Sequence, residues 1–367
     1  MDFTSGEAEK EVSRLAAQVL GGAKSDLHAG AGADSAVDDM DSFIWKELGR
    51  SGLLSLALPV ELGGDELGML ATAALLTEVG RNAARIPALA TLALGALPVA
   101  RSANTELKRQ LLAELGTGET ILTAAIREPS DPMPTAPATR AVFTGRTGAL
   151  TGVKTGVLYA ASARWILVPA TTDDEQTVIA VVEPDADGLA CQRTRSSSRL
   201  PEYTLRLERT PLLGVLAGCT TQELYSLAVA GACCVADGAL AAALELTTSH
   251  IRGREQFGRP LATFQAVAQQ IADVYAAART LHLITQSACW RLETDRDAGR
   301  DVDVAGYWLG HYVPLAMRTC HHLHGGLGMD VTYPLARYSA LVTDLVAFVG
   351  GVDDRLDRLG AREAVDA

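Results

Sequence analysis

Apolar residues along this chain change their spacing twice. Up to about residue 118 they recur three and four apart, as in "MLATAALLTEVGRNAARIPALATLALGALPVA" from Met69 to Ala100, the mark of helices with one buried face. Pro87 and Pro98 set helix starts or bends within that stretch. "LALPVELGGDELG" reads as a loop, because Pro59, Gly63 and Gly64 punctuate it. From about 119 to 212 the period shortens. "TILTAAI", "AVFTG", "GALTGVKTG", "RWILVPA", "TVIAVVE" and "YTLRLER" are short β-branched runs between Gly, Pro and Asp clusters, which predicts a small antiparallel sandwich or barrel. Beyond residue 212 the helical period returns in four long segments, beginning "TQELYSLAV", "LATFQAVAQ", "DVAGYWLGH" and "YPLARYSAL". The expected fold is α+β: an N-terminal helical domain (1–118), a central antiparallel β domain (119–212) and a C-terminal four-helix bundle (213–367).

Composition narrows the partners. At 367 residues, 48% of them apolar, the chain can bury a large core divided over two or three domains. The net charge of −12 argues against nucleic acid as a partner, while leaving room for a local basic pocket. No apolar run reaches about 18 residues, so no membrane span is expected. The polar, amphipathic start "MDFTSGEAEKEVSRLAAQVL" is no leader, which points to the cytoplasm. Six cysteines without framework spacing read as reduced core thiols.

Candidate chemistry concentrates in "RTCHHLHGGLGMD", Arg318 to Asp330. On a helix Cys320 and His324 share a face, as do His321 and His324, but Gly325-Gly326 end the helix there. No HExxH helix or second cysteine pair completes a ligand set, so no metal is expected, and His321 and His324 read as packing or capping residues. The glycines suit a place where a phosphate or another backbone comes close.

Together with "RGREQFGRPLATFQ", those glycines make the chain resemble the acyl-CoA dehydrogenase family over nearly its whole length. The elements, in order, are Arg254-Glu255-Gln256-Phe257-Gly258, Phe264-Gln265, His324-Gly325-Gly326-Leu327-Gly328 and Tyr333-Pro334-Leu335-Ala336-Arg337-Tyr338. The resemblance implies the three-domain layout derived above, FAD as cofactor and an acyl-CoA substrate. It implies that Arg254, Gln256, Phe257, Phe264, Gln265, Gly325 and Gly326 face FAD held mainly by a neighbouring subunit. His322 stands where the family has a glutamine. An electron-transferring flavoprotein is the implied acceptor.

Other family features are missing. The position of the usual catalytic glutamate falls on Val349, and the alternative position on the first bundle helix falls on Ala228. Neither side chain can take a proton, so no catalytic residue is assigned. The family's TEPxAGSD strand keeps only Glu128-Pro129, and its flavin-flanking Trp-x-Thr aligns with Gly156-Val157-Leu158. What serves a neighbour's FAD is kept and what serves the chain's own site is lost. This pattern resembles the base-lacking subunit of actinobacterial α2β2 dehydrogenases that act on steroid side chains as CoA thioesters in cholesterol catabolism. It implies a homologous, glutamate-bearing partner. Two other readings stay open: an autonomous dehydrogenase with Asp344, Asp353 or Asp354 as relocated base, and a flavin-free scaffold.

Overall fold

The computed structural model describes residues 6–22, 40–145 and 147–366. The first five residues of the amphipathic N-terminal stretch lie outside them. The chain divides into two compact units, a β unit of 37–72 and 85–231 and a helical unit of 73–84 and the chain from Ala232 onward, with the N-terminal helix.

In the β unit, α2 (Ser42–Arg50; α1 is Glu7–Gly22) starts on Asp41, whose Oδ1 accepts from the Ile44 N–H at 3.0 Å. Buried Trp45 donates to the Gly118 carbonyl at 3.0 Å. The apolar run 89–96 forms a π-helical segment that leads into α4 (Leu97–Ala100). It lies so close to β1 (Leu122–Ala124) that a Cβ on Gly95 would stand 2.4 Å from that of Leu122. Asn104 caps α5 (Thr105–Leu112).

The sheet adds β2 (Arg140–Thr144), β3 (Thr147–Leu158), β4 (Trp165–Thr172), β5 (Thr177–Val182), β6 (Leu189–Thr194), β7 (Glu202–Pro211) and β8 (Gly214–Leu216). Its order is β6-β7-β3-β2-β4-β5-β8, with β1 paired to β4. Most pairings are antiparallel, but β4 runs parallel to both β1 and β2, so the sheet is mixed. The sequence gives no warning of β6 and β8. β6 is mostly exposed and lacks an apolar alternation, and β8 is three residues long.

One buried ion pair holds the sheet's centre. Lys154 Nζ lies 2.8 Å from Glu128 Oε1, and the same carboxylate accepts from Ala138 N, Thr139 N and Thr139 Oγ1. Burial presses Lys154 down to about 8. Although burial opposes it, Lys154 and Thr139 hold the Glu128 carboxyl below the usual range. The retained Glu128-Pro129 thus has a structural use.

The helical unit is built on α6 (Thr221–Gly253), α7 (Gln265–Glu293), α8 (Gly299–His324), α9 (Leu335–Phe348) and α10 (Gly351–Asp366). α6 is long and apolar enough to cross a membrane, yet 89% of its most apolar window is buried, as in a core helix. α3 (Met69–Asn82) crosses it at glycines: a Cβ on Gly80 would stand 1.9 Å from the Val235 carbonyl oxygen, and one on Gly238 1.8 Å from that of Thr77. Only glycine lets the two backbones approach that closely.

Four long helices were expected after residue 212, and a fifth follows them. α10 is highly charged and carries no apolar run, so the periodicity there is faint. It is held instead by ions. Buried Arg355 bonds Asp303 on α8 at 3.0 Å and Asp354 at 3.2 Å, while Arg362 bonds the other Asp303 oxygen at 2.7 Å. Asp353 and Asp354 therefore open a helix rather than trail one.

Candidate functional site

The family motifs in the helical unit converge on one end of it. α6 stops at Gly253, and Arg254 follows with its N–H on the His250 carbonyl at 2.8 Å. His250 stacks on His324 with ring centroids 4.5 Å apart, which ties the C-terminus of α6 to that of α8. His324 Nδ1 donates to the Cys320 carbonyl at 2.8 Å, and its ring is tilted against Tyr333 at 5.2 Å. Burial depresses the pKa of His324, with His321 adding to the effect; burial, His324 and Arg254 depress that of His250. His321 donates from Nδ1 to the Gly328 carbonyl at 2.6 Å and accepts at Nε2 from Ser339. His324 is buried and His321 half-buried, each bonded within the helical unit. Among the described residues no cluster of three or more His, Cys, Asp or Glu could hold a metal ion.

Above these rings lies an open surface. Gly325 takes φ 58°, and neither it nor Gly326 has any atom within 4 Å of where a Cβ would stand. Gly328 is different, since its Cβ would meet the His321 carbonyl oxygen at 2.6 Å. His322 is exposed. The Arg254 side chain is exposed and makes no hydrogen bond or ion pair with any described residue. An unpaired cation, an exposed imidazole and two open glycines suit a large anionic ligand that approaches from outside.

Between Arg254 and α7 the chain folds into a hairpin of β9 (Glu255–Gln256) and β10 (Arg259–Pro260). Its two-residue loop, Phe257-Gly258, takes φ 53° and 78°, the positive pair of a type I′ turn. A bulky residue at the first position is strained, and Phe257 is 91% exposed. Phe264 props it edge-on at 6.2 Å and is itself covered by the Arg259 guanidinium at 4.0 Å. Phe264 therefore supports the hairpin, while Gln256 and Gln265 are exposed. Met329 (81%) and Val331 (85%) are equally exposed beyond the glycine turn. Large apolar side chains this exposed suit an interaction surface.

The two positions at which the resemblance places a base are closed. Val349 and Ala228 are both fully buried. Val349 precedes Gly350 and Gly351, whose φ values are 92° and 77°, and its carbonyl accepts from Arg355 Nε at 2.7 Å. Sequence reading did not single out Arg355 or Asp303. A signal was there in hindsight, since Asp303 lies on the apolar face of its helix. Of the candidate substitutes, Asp354 is bound by Arg355 and Arg358, and Asp353 is exposed.

In the β unit, the stretch where the resemblance places the flavin-flanking Trp-x-Thr is reshaped. Gly156 takes φ 63°, and a Cβ there would stand 2.8 Å from Arg127 Nη1. A side chain at 156 would require the Arg127 guanidinium to shift. Arg127 Nε and the Tyr159 hydroxyl are enclosed without a hydrogen-bond partner, at a typical cost of about 1–3 kcal/mol for each such group. Nothing in the sequence flagged either residue.

Comparisons with known proteins agree with the motifs. The family models "Acyl-CoA dehydrogenase, N-terminal domain" and "Acyl-CoA dehydrogenase, C-terminal domain" match residues 10–119 and 226–363. Acyl-CoA dehydrogenase FadE28 of Mycobacterium tuberculosis is 45% identical over 320 residues, covering 87% of this chain and 91% of that one. A variant of the Tcur3481–Tcur3483 steroid ACAD superposes with TM-score 0.91 at 33% identity, covering 99% of this chain and 100% of the other. The ChsE4–ChsE5 complex from Mycobacterium tuberculosis gives 0.90 at 29% identity, with 99% of each chain covered. A helical, sheet and helical order shared at that coverage, with both family models matched, means that the chain belongs to the acyl-CoA dehydrogenase family.

Proposed function

We propose that this chain is the non-catalytic but required subunit of a heteromeric acyl-CoA dehydrogenase, and that it completes the FAD site of a homologous, glutamate-bearing partner in an α2β2 assembly. The observation that carries the reading is the contrast between an outward, unpaired Arg254–His322–Gly325–Gly326 surface and a base position, Val349, that is buried and apolar. FAD is the cofactor, and when bound it supplies the hydride acceptor for α,β-desaturation. Arg254 would meet its pyrophosphate, Gly325 and Gly326 would let it approach, and His322 would offer a ring N–H in place of the family's amide. Phe257 would lie against an apolar part of the ligand, and Met329 and Val331 against the partner subunit.

Two further observations support an incomplete site within the chain itself. The Arg127 guanidinium lies where a Cβ at 156 would stand. Both carboxylates of the Val349 network, Asp303 and Asp354, are already engaged, each bound by two arginines. That weakens the autonomous reading.

Similarity to a steroid ACAD makes a steroid side-chain CoA thioester, met in cholesterol catabolism, the proposed substrate. An electron-transferring flavoprotein is the proposed acceptor. Native mass spectrometry tests the reading, on this chain alone and co-expressed with a glutamate-bearing homologue. Two FAD per mixed tetramer and little on the lone chain are expected. Four FAD in a homotetramer of this chain would overturn it.

A further inference from the structure

The hairpin that follows α6 carries more positive charge than the motif arginine alone. The stretch from Arg252 to Arg259 holds Arg252, Arg254 and Arg259 against Glu255, in a chain whose net charge is −12. Cross-strand pairing decides which of these side chains share a face. Gln256 lies opposite Arg259, and Glu255 opposite Pro260. The ladder continues beyond them, since Leu261 N donates to the Arg254 carbonyl at 2.9 Å. Alternate residues of a strand point the same way, so Arg254, Gln256 and Arg259 stand on one face and Glu255 on the other. Arg254 and Arg259 are diagonal neighbours across the ladder, a relation that sets them about 7–8 Å apart. Arg259 is also steadied from below. Its guanidinium carbon lies 4.0 Å from the Phe264 ring centroid, and Phe264 is fixed by its own N–H on the Leu261 carbonyl at 3.1 Å. Like that of Arg254, the Arg259 side chain is exposed and makes no hydrogen bond or ion pair with any described residue.

A guanidinium resting on a ring keeps its N–H donors for other partners, and the ring limits the freedom it loses when it binds one. One face of the hairpin therefore offers two free guanidinium forks and an amide, with no carboxylate of the hairpin to oppose them. A pyrophosphate carries a negative charge on each phosphate, and one arginine offsets only one of them. We infer that Arg259 is a second phosphate-binding residue, which together with Arg254 grips the pyrophosphate of the dinucleotide from this face. The inference rests on the reading that the hairpin completes a partner's FAD site. It adds to that reading a residue outside the motif, held in place by Phe264.

The test is the FAD affinity of the mixed tetramer formed with a glutamate-bearing homologue, measured at low and at physiological ionic strength. Arg259→Met should weaken FAD about tenfold, the scale of a lost charge-assisted hydrogen bond. It should also flatten the fall of affinity with salt, because a charge that salt would screen is gone. Tm should drop only slightly, as befits an exposed cation–π contact. Arg259→Lys keeps the charge and should recover most of the salt dependence. Unchanged FAD affinity in Arg259→Met would overturn the inference. So would a loss that keeps the wild-type salt dependence, since Arg259 would then only steady Phe264. Arg254→Gln, measured in parallel, tells the two readings apart. If it weakens FAD and Arg259→Met does not, the shared site stands and the second cation falls. If neither changes the affinity, the shared site falls as well.

Discussion

At Gly325-Gly326 the helical unit ends a helix in open space, with Arg254 and His322 exposed beside it. At Gly350-Gly351 it ends another over a buried guanidinium that grips the preceding carbonyl. Both turns need positive φ, so glycine alone does not separate them. Their surroundings do. One turn is left open, and the other is consumed by the fold. The second turn closes over an apolar side chain, Val349, whose carbonyl is held by Arg355.

Breaking the closed turn should have the largest effect. Arg355→Met removes one partner of a buried ion network and leaves Asp303 under-compensated, so about 3–5 kcal/mol of stability should be lost in urea unfolding. A loss below about 1 kcal/mol would mean the network is only decoration.

Glycines within the open turn should then separate from one another. Gly328→Ala meets a backbone carbonyl and should cost about 1–3 kcal/mol. Gly326→Ala meets nothing and should stay within about 0.5 kcal/mol, yet lower the FAD content of a mixed tetramer. Equal stability losses from both would erase the distinction.

Arg254→Gln should leave the Tm unchanged, because the guanidinium bonds none of the described residues, and weaken FAD about tenfold, roughly 1.4 kcal/mol. Unchanged flavin affinity would favour a flavin-free scaffold instead.

The smallest effect is a pH slope. His250 and His324 are both depressed below the ordinary 6.5, chiefly by burial. The unfolded chain therefore binds their protons more readily than the folded one. Stability should be full above pH 6.5 and fall as the pH drops through it. His324→Phe should flatten the slope in denaturant titrations at pH 5 to 8; an unchanged slope would place its origin elsewhere.

The change of apolar period marked the sheet and the long helices, because each buries one face against a core. It did not mark α10 or β6. α10 is held mainly by ions, and β6 is a largely exposed edge strand of the sheet. The retained arginine and glycines were legible because their family spacing is local. Arg127 and Tyr159 were not, because an ordinary arginine and tyrosine acquire meaning only when burial removes their partners.

By itself the sequence determined the order of helical, sheet and helical segments, the motif residues and the absence of a carboxylate at Val349. These follow from side-chain type and spacing along one strand or one helix. Only the tertiary structure decided that His250 and His324 stack to bring Arg254 and Gly325 to one end. It alone put Arg355 beneath Val349 and Arg127 over Gly156. Two of those pairings join residues distant in the chain and the third turns a side chain back onto a carbonyl six residues earlier, and what a charged or aromatic side chain does depends on the solvent and partners that packing leaves it.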